Sequence, residues 1–259
     1  MKKKFLFCSI VILFMTIYSC SFVQIFELSS KNTKDTDKYF QMENDTLKVI
    51  YNFNSESGTM SFIILNKLNV PLYVDWRKSS FINNDFKNNY WDDIIETNTI
   101  GKNIRFPTSQ NLNTDLWNLS SIGLSAFAST STKPERITFI PPSTLIPQNK
   151  FILYSKSYFP FRAKPEVKEQ NVNKGKVCKI EFENYNEKNS PFFFRNFLTF
   201  STSENFKSEF YLDNSFYVSS IKRVKSEFLD NFQSPKTFFI KNKSNPKQYE
   251  KDLSDPLYR

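Results

Sequence analysis

The sequence predicts an all-β protein, an antiparallel β-sandwich with a minor helical part, and three observations carry that reading. The 259-residue chain is 39% hydrophobic and 17% aromatic, with 29 Phe and 12 Tyr, enough for a sizeable core built from residues that favour strands. Its apolar residues recur in short runs of period two, separated by Asn, Ser and Pro, as half-buried strands require. Stretches with helical spacing are few.

Taken in order, Leu47, Val49, Tyr51 and Phe53 alternate with polar partners. Ser55-Glu56-Ser57-Gly58 then supplies turn chemistry, and Met60, Phe62 and Ile64 alternate again. That pattern is a hairpin. Residues 71–76 give a third strand, Phe81 and Ile82 a fourth, 136–140 a fifth stopped by Pro141-Pro142, and 151–154 a sixth. The series continues at 176–183, 193–201, 209–212, 216–221 and 237–240. Two short helices are expected, striped by Leu112, Leu116, Leu119 and Ile122 and by Ile221, Val224, Phe228 and Phe232. Within the aromatic-dense stretch 192–217, Phe193, Phe197 and Phe200 do not keep one strand face, so this stretch is expected to be core covered on both sides.

The N-terminus carries an address. Lys2, Lys3 and Lys4 precede a 13-residue apolar run over 5–17, followed by Ile17-Tyr18-Ser19-Cys20. A basic start, a short apolar run and a small residue before a cleavage point make an export signal, too short to span a bilayer. The Ile-Tyr-Ser-Cys ending resembles the lipobox of bacterial lipoproteins, and that resemblance implies Cys20 as the site of lipid attachment. Each buried methylene of an acyl chain contributes about 0.8 kcal/mol, so two or three chains hold a domain on a membrane durably. Residues 1–19 are then the signal peptide, and residues 20–44, mainly polar after Leu28, are a flexible linker. About 25 such residues have a root-mean-square span on the order of 25 to 30 Å. The sandwich is expected over 45–240, with a basic polar tail at 241–259. Bacterial lipoproteins exported to the outer face often carry an acidic cluster just after the Cys; residues 21–25 here carry none, so the resemblance implies the periplasmic face of the outer membrane.

The other cysteines agree with export. Cys8 leaves with the signal and Cys20 takes the lipid. Cys178, in an alternating run from Lys176 to Phe182, is left to point into a core. The net charge of +9 falls to +6 once the three leader lysines are removed. The remaining cations are scattered apart from Lys222, Arg223 and Lys225 and the stretch 241–251, so a nucleic-acid partner is not expected.

Residues 45–93 resemble a family of uncharacterised Bacteroidota lipoproteins. The resemblance is carried by Tyr51-Asn52-Phe53, Gly58-Thr59-Met60-Ser61-Phe62, Asn66-Lys67 and the run Pro71-Leu72-Tyr73-Val74-Asp75-Trp76-Arg77-Lys78-Ser79-Ser80-Phe81-Ile82. It continues at Ile137-Thr138-Phe139-Ile140-Pro141-Pro142-Ser143, Ser190-Pro191-Phe192-Phe193-Phe194-Arg195-Asn196 and Phe216-Tyr217-Val218, in the same order over about 40–225. It implies an envelope lipoprotein with an Ig-like sandwich, and it implies no activity. The family pattern places a Gly near Asn84, where this chain reads Asn83-Asn84-Asp85.

Enzyme chemistry finds few footholds. There is no His, which removes imidazole metal sites and His-dependent triads. The four glycines are isolated, so no phosphate cradle and no cofactor is expected. Asp92, Asp93 and Glu96 after Tyr90-Trp91 offer a carboxylate pair beside aromatics, the constellation of glycoside hydrolysis. Neighbouring Asp side chains on a strand point to opposite faces, however. Asp75 beside Trp76 and Ser219 with Lys222 are further weak constellations, and Asp45-Thr46-Leu47 matches a short O-glycosylation signal. Asn66, Asp75, Ser79, Arg195 and Asn196 are the polar residues inside the family motifs, and strand and loop support is their expected role. Arg195 is also placed to stack on Phe194 and Phe197. The sequence therefore points to a lipid-anchored binding or structural module of the cell envelope, not an enzyme, contacting the membrane through Cys20 and an envelope protein or glycan through the sandwich. The second hypothesis is an envelope glycan hydrolase using a carboxylate pair.

Overall fold

The structure, a computed structural model, describes residues 21–92, 135–172 and 175–242. In chain order its strands are β1 (Phe22–Ser30), β2 (Lys34–Asp35), β3 (Phe40–Glu43), β4 (Leu47–Tyr51), β5 (Thr59–Asn66), β6 (Leu72–Asp75), β7 (Ser80–Asn83) and β8 (Phe86–Asn89). There follow β9 (Ile137–Ile140), β10 (Leu145–Ile152), β11 (Glu166–Val172), β12 (Lys176–Asn184), β13 (Phe193–Ser201), β14 (Glu209–Lys225) and β15 (Thr237–Asn242), with one 3₁₀ turn at Ser226–Asn231.

Two antiparallel sheets face each other around a shared core, as the sequence predicts. The smaller has the order β10-β5-β4-β3-β2, and the larger follows β11-β12-β14-β13-β6-β9. In the larger sheet β1 lies between β14 and β15, and β7 sits against β13 and carries β8. The layering is that of a two-sheet antiparallel sandwich, and its sheets, with ten and five strands, exceed the four and three of a constant-type immunoglobulin domain.

The seventeen-residue β14 organises the larger sheet. One of its edges pairs with β1 from Phe216 to Lys225; the other pairs first with β13, from Glu209 to Tyr217, and then with β12, from Ser220 to Arg223. The runs 209–212 and 216–221, read from the sequence as separate strands, are parts of this one strand.

The core is aromatic. Phe216 packs against Tyr51, Phe53, Phe40 and Phe194 with ring centroids 4.8 to 5.5 Å apart, within the range where aromatic pairs attract. A buried polar network ties the two sheets through this core. The Tyr51 hydroxyl accepts from Asn196 Nδ2 at 3.1 Å and Asn214 Nδ2 at 2.7 Å, and the Tyr90 hydroxyl donates to Asn196 Oδ1 at 2.8 Å. Burial raises both tyrosine pKa values, which keeps Tyr90 protonated as its donation to Asn196 requires.

Four expectations need correction, and the first is that 192–217 is core covered on both sides: Phe194, Asn196, Leu198 and Phe200 are buried, but Phe193, Arg195 and Phe197 are only half-buried and Tyr211 is 67% exposed. Residues 20–44 are not a flexible linker in their described part: Phe22–Ser30 is a nine-residue strand, and Phe40 and Gln41 of β3 are buried. Val23 and Ile25 face a second small core with Cys178, Ile180, Val224, Phe228 and Leu229, while Phe26 and Leu28 face the main one. A strand covered on both faces loses the alternation that identifies strands in sequence, and the sandwich therefore begins at Phe22 instead of residue 45. Nor is there a helix through Ile221, Val224, Phe228 and Phe232. Ile221 and Val224 lie on opposite faces of β14, each in a different core, and only the short 3₁₀ turn follows; a doubly covered strand can mimic helical spacing. The sixth strand runs over Leu145–Ile152 instead of 151–154, on the edge of the smaller sheet where Pro147 costs no ladder bond. Strands β8 and β11 are additional: both are exposed and polar, without apolar alternation. The other expected helix, through Leu112 to Ile122, lies outside the described residues, as do Cys20 and residues 243–259.

Candidate functional site

The candidate site is an open groove of about 480 Å³ on the outer face of the larger sheet, lined by Lys78, Ser80, Ile82, Asn84, Asp85, Lys87, Arg195 and Phe197. Strict alternation along β13 builds its floor. Phe194, Asn196, Leu198 and Phe200 are buried in the sandwich, so Phe193, Arg195 and Phe197 take the outer face. Antiparallel register then aligns their neighbours on that face. Ile82 of β7 and Ser215 of β14 flank Arg195, and Ser80 and Asp213 flank Phe197.

Two features define the floor. Phe197 stacks on Tyr211 of β14, with centroids 5.5 Å apart and planes 27° apart, and Tyr211 is 67% exposed. Beside them the Arg195 guanidinium grips the Asp213 carboxylate through two nitrogens, with Nε donating at 3.0 Å. That pairing raises the Arg195 pKa, and it displaces the ring-stacking role expected for Arg195.

Two turns fix the rims. In the first, Asp75 Oδ1 accepts from the backbone N–H of Arg77 and of Lys78, at 3.0 and 3.3 Å. Ser79 Oγ donates to the Asp75 carbonyl and accepts from the Thr199 N–H, and Thr199 Oγ1 donates to the Lys78 carbonyl. Lys78 is thereby held at the groove edge, where it pairs with Glu209. The second turn joins β7 to β8 through Asn84 and Asp85, with Asn84 at φ +50°. Asn is the residue that best tolerates left-handed backbone after Gly. Asn84 also grips β13: its N–H donates to the Phe193 carbonyl at 2.8 Å, and its Oδ1 accepts from the Phe193 N–H at 3.3 Å.

Most other residues singled out from the sequence support structure. Asn66 Nδ2 reaches the carbonyls of Val70, Ile140 and Pro141, at 2.9 to 3.1 Å. Asp75 also binds Arg136, whose Nη2 lies 2.9 Å from Oδ2. Trp76 is buried and donates from Nε1 to Thr138 Oγ1. Cys178 is fully buried, as expected, and burial pushes its thiol pKa up. Ser219 and Lys222 engage Glu27, Ser219 through its carbonyl and Lys222 through its carboxylate. In the Asp45-Thr46-Leu47 segment, Asn44 Oδ1 accepts from the Thr46 and Leu47 N–H groups. Of the carboxylates considered for catalysis, Asp92 lies 3.8 Å from Lys150 Nζ, while Asp93 and Glu96 lie outside the described residues.

Comparison with protein families, with curated proteins and with solved structures finds no match to this chain. The site is therefore read from its own chemistry. Of its lining residues, Lys78, Ser80, Ile82 and Arg195 stand within the sequence motifs, Phe197 within the aromatic-dense stretch, and Asn84 and Asp85 within the turn noted from the sequence; Lys87, and Tyr211 as a partner of Phe197, were not singled out. The available signal was the period-two run Phe193, Arg195, Phe197, which marks an outward face once its partners Phe194, Asn196 and Leu198 are placed inside.

Proposed function

We propose that this chain is an envelope lipoprotein anchored through Cys20, whose sandwich is a non-enzymatic binding module that takes an acidic glycan in the β7–β13–β14 groove. The observation that carries the ligand class is the Phe197–Tyr211 platform, with Lys87 at its rim and with Lys78 and Arg195 beside it, each shared with a carboxylate, Glu209 and Asp213, that an acidic sugar would have to compete with. Sugar rings present C–H faces that pack on aromatic planes, and amphipathic Tyr suits a surface wet on one side. Arg195, Asn84 and the lysines offer donors for carboxylates and hydroxyls. The lipid anchor is supported by the basic start, the apolar run and Ile17-Tyr18-Ser19-Cys20, and by the resemblance to Bacteroidota lipoproteins.

The carboxylates around the groove support binding over hydrolysis. Asp213 is held by Arg195 and Glu209 by Lys78, whereas a glycosidase needs one carboxyl kept protonated and a second free to act as nucleophile or base. The experiment is retention on immobilised alginate and polygalacturonate, with neutral dextran as control. Retention on the acidic polymers that falls at least tenfold in Tyr211→Ala and Lys87→Glu supports the proposal. Equal retention on dextran, or release of reducing ends from the acidic polymers, contradicts it.

A further inference from the structure

The fold leaves the lipid anchor almost no slack. Ser21, one covalent step from Cys20, is tied to the end of β14: the Ser226 N–H donates to the Ser21 carbonyl at 3.0 Å, and the two hydroxyls lie 2.9 Å apart. Phe22 stands opposite Lys225 in the sheet. From Phe22 to Cys20 the chain spans at most about 7 Å.

The β11–β12 hairpin reaches further than that in the same direction. Glu181 pairs with Arg223, so counting along the antiparallel strands puts Lys179 level with Lys225. Lys176 lies three residues beyond, about 10 Å at the rise of a strand. Near this tip Val177 is 54% exposed, and Lys176 and Lys179 are exposed. Lys176 has Glu227 at 3.9 Å as its acidic neighbour, and Lys179 stands opposite Glu169 of β11. At the other end, twelve residues of β14 separate Lys225 from Asp213 of the groove, a distance of up to about 40 Å.

We infer that the domain stands upright on its membrane, with the β11–β12 hairpin seated among anionic phospholipid headgroups and β14 acting as a rigid post that holds the groove away from them. This rests on the anchoring of Cys20 proposed above. With at most about 7 Å of chain between Phe22 and Cys20, the anchor holds the end of the sheet that carries the hairpin close to the bilayer. There Lys176 and Lys179 meet anionic headgroups, an attraction that salt weakens, and Val177 meets the apolar boundary. A protein on a 25-residue linker would sample all orientations; this one presents the same face to the periplasm at all times.

The test uses the full acylated protein in vesicles of phosphatidylethanolamine and phosphatidylglycerol, 3:1, doped with headgroup-nitroxide lipid. One environment-insensitive fluorophore is placed at Val177→Cys or at Tyr211→Cys, both exposed, while buried Cys178 stays unlabelled. The inference predicts at least threefold quenching of the 177 label and under 10% quenching of the 211 label. Equal quenching at the two positions, or none at either, on protein whose Cys20 acylation is verified by mass spectrometry would overturn the upright geometry and leave the lipoprotein reading standing. Absence of acylation would overturn both.

Discussion

Phe197 and Phe200 lie three residues apart on one strand and face opposite ways, so truncating each separates core from site. Phe200 is fully buried in the main core and stacks on Phe210 at 5.6 Å. Phe→Ala at such a position costs about 3 to 5 kcal/mol through lost transfer energy and the cavity left behind. Phe197 is half-buried on the outer face and loses little beyond its contact with Tyr211, an aromatic pair worth about 0.5 to 1.5 kcal/mol. For a domain of this size each kcal/mol moves the midpoint by roughly 2 to 4 °C. Thermal melts followed by near-ultraviolet circular dichroism should thus show Phe200→Ala lower by about 6 to 20 °C and Phe197→Ala by about 1 to 6 °C. Retention on alginate should fail in Phe197→Ala while the protein is still folded. Equal melting points, or a severe loss in Phe197→Ala alone, would refute the assignment of faces along β13.

Phe26 stacks on Phe238 at 4.5 Å and is buried, so Phe26→Ala should cost about 3 to 5 kcal/mol in a denaturant titration, a loss no linker residue could cause. Gly58 holds φ +65°, and an added Cβ would come within 2.9 Å of Leu153 Cδ1 and Phe238 Cγ; Gly58→Ala should therefore destabilise by more than about 1 kcal/mol in the same assay. Tyr154 has its pKa pushed up to about 12 by burial, against about 10 in an unfolded chain. Its contribution to stability is present in full below pH 10 and is lost as pH rises from 10 towards 12, because the unfolded chain releases that proton first. Stability measured across pH 9 to 12 should fall less steeply in Tyr154→Phe than in the wild type.

Where one face of a strand is buried and the other wet, the sequence states the fold directly. β13 matches its expected bounds to the residue, β4 and β5 form the expected hairpin, and β12 differs by one residue at its end. Legibility fails where that asymmetry disappears. β1 is apolar on both faces, and β8 and β11 are polar on both, so none of the three shows period two. The groove was illegible for a different reason. Its residues come from β7, β8, β13 and β14, and only pairing brings Asp213 to Arg195 and Tyr211 to Phe197. Asn196 illustrates the limit: the motif singled it out, but that it would bond Tyr51 across the sandwich and Tyr90 beyond the end of β8 depends on contacts more than a hundred residues apart.

The claim on which both the anchor geometry and the placement of the groove depend is that the chain is core from Phe22 onward. Hydrogen–deuterium exchange of the full protein, read by mass spectrometry on a peptide covering 22–30, tests it most directly. Every amide there that bonds to β14 or β15 should exchange as slowly as those of β14 itself, through global unfolding only. Complete exchange of that peptide at the earliest time point, as a solvated linker would show, would contradict it.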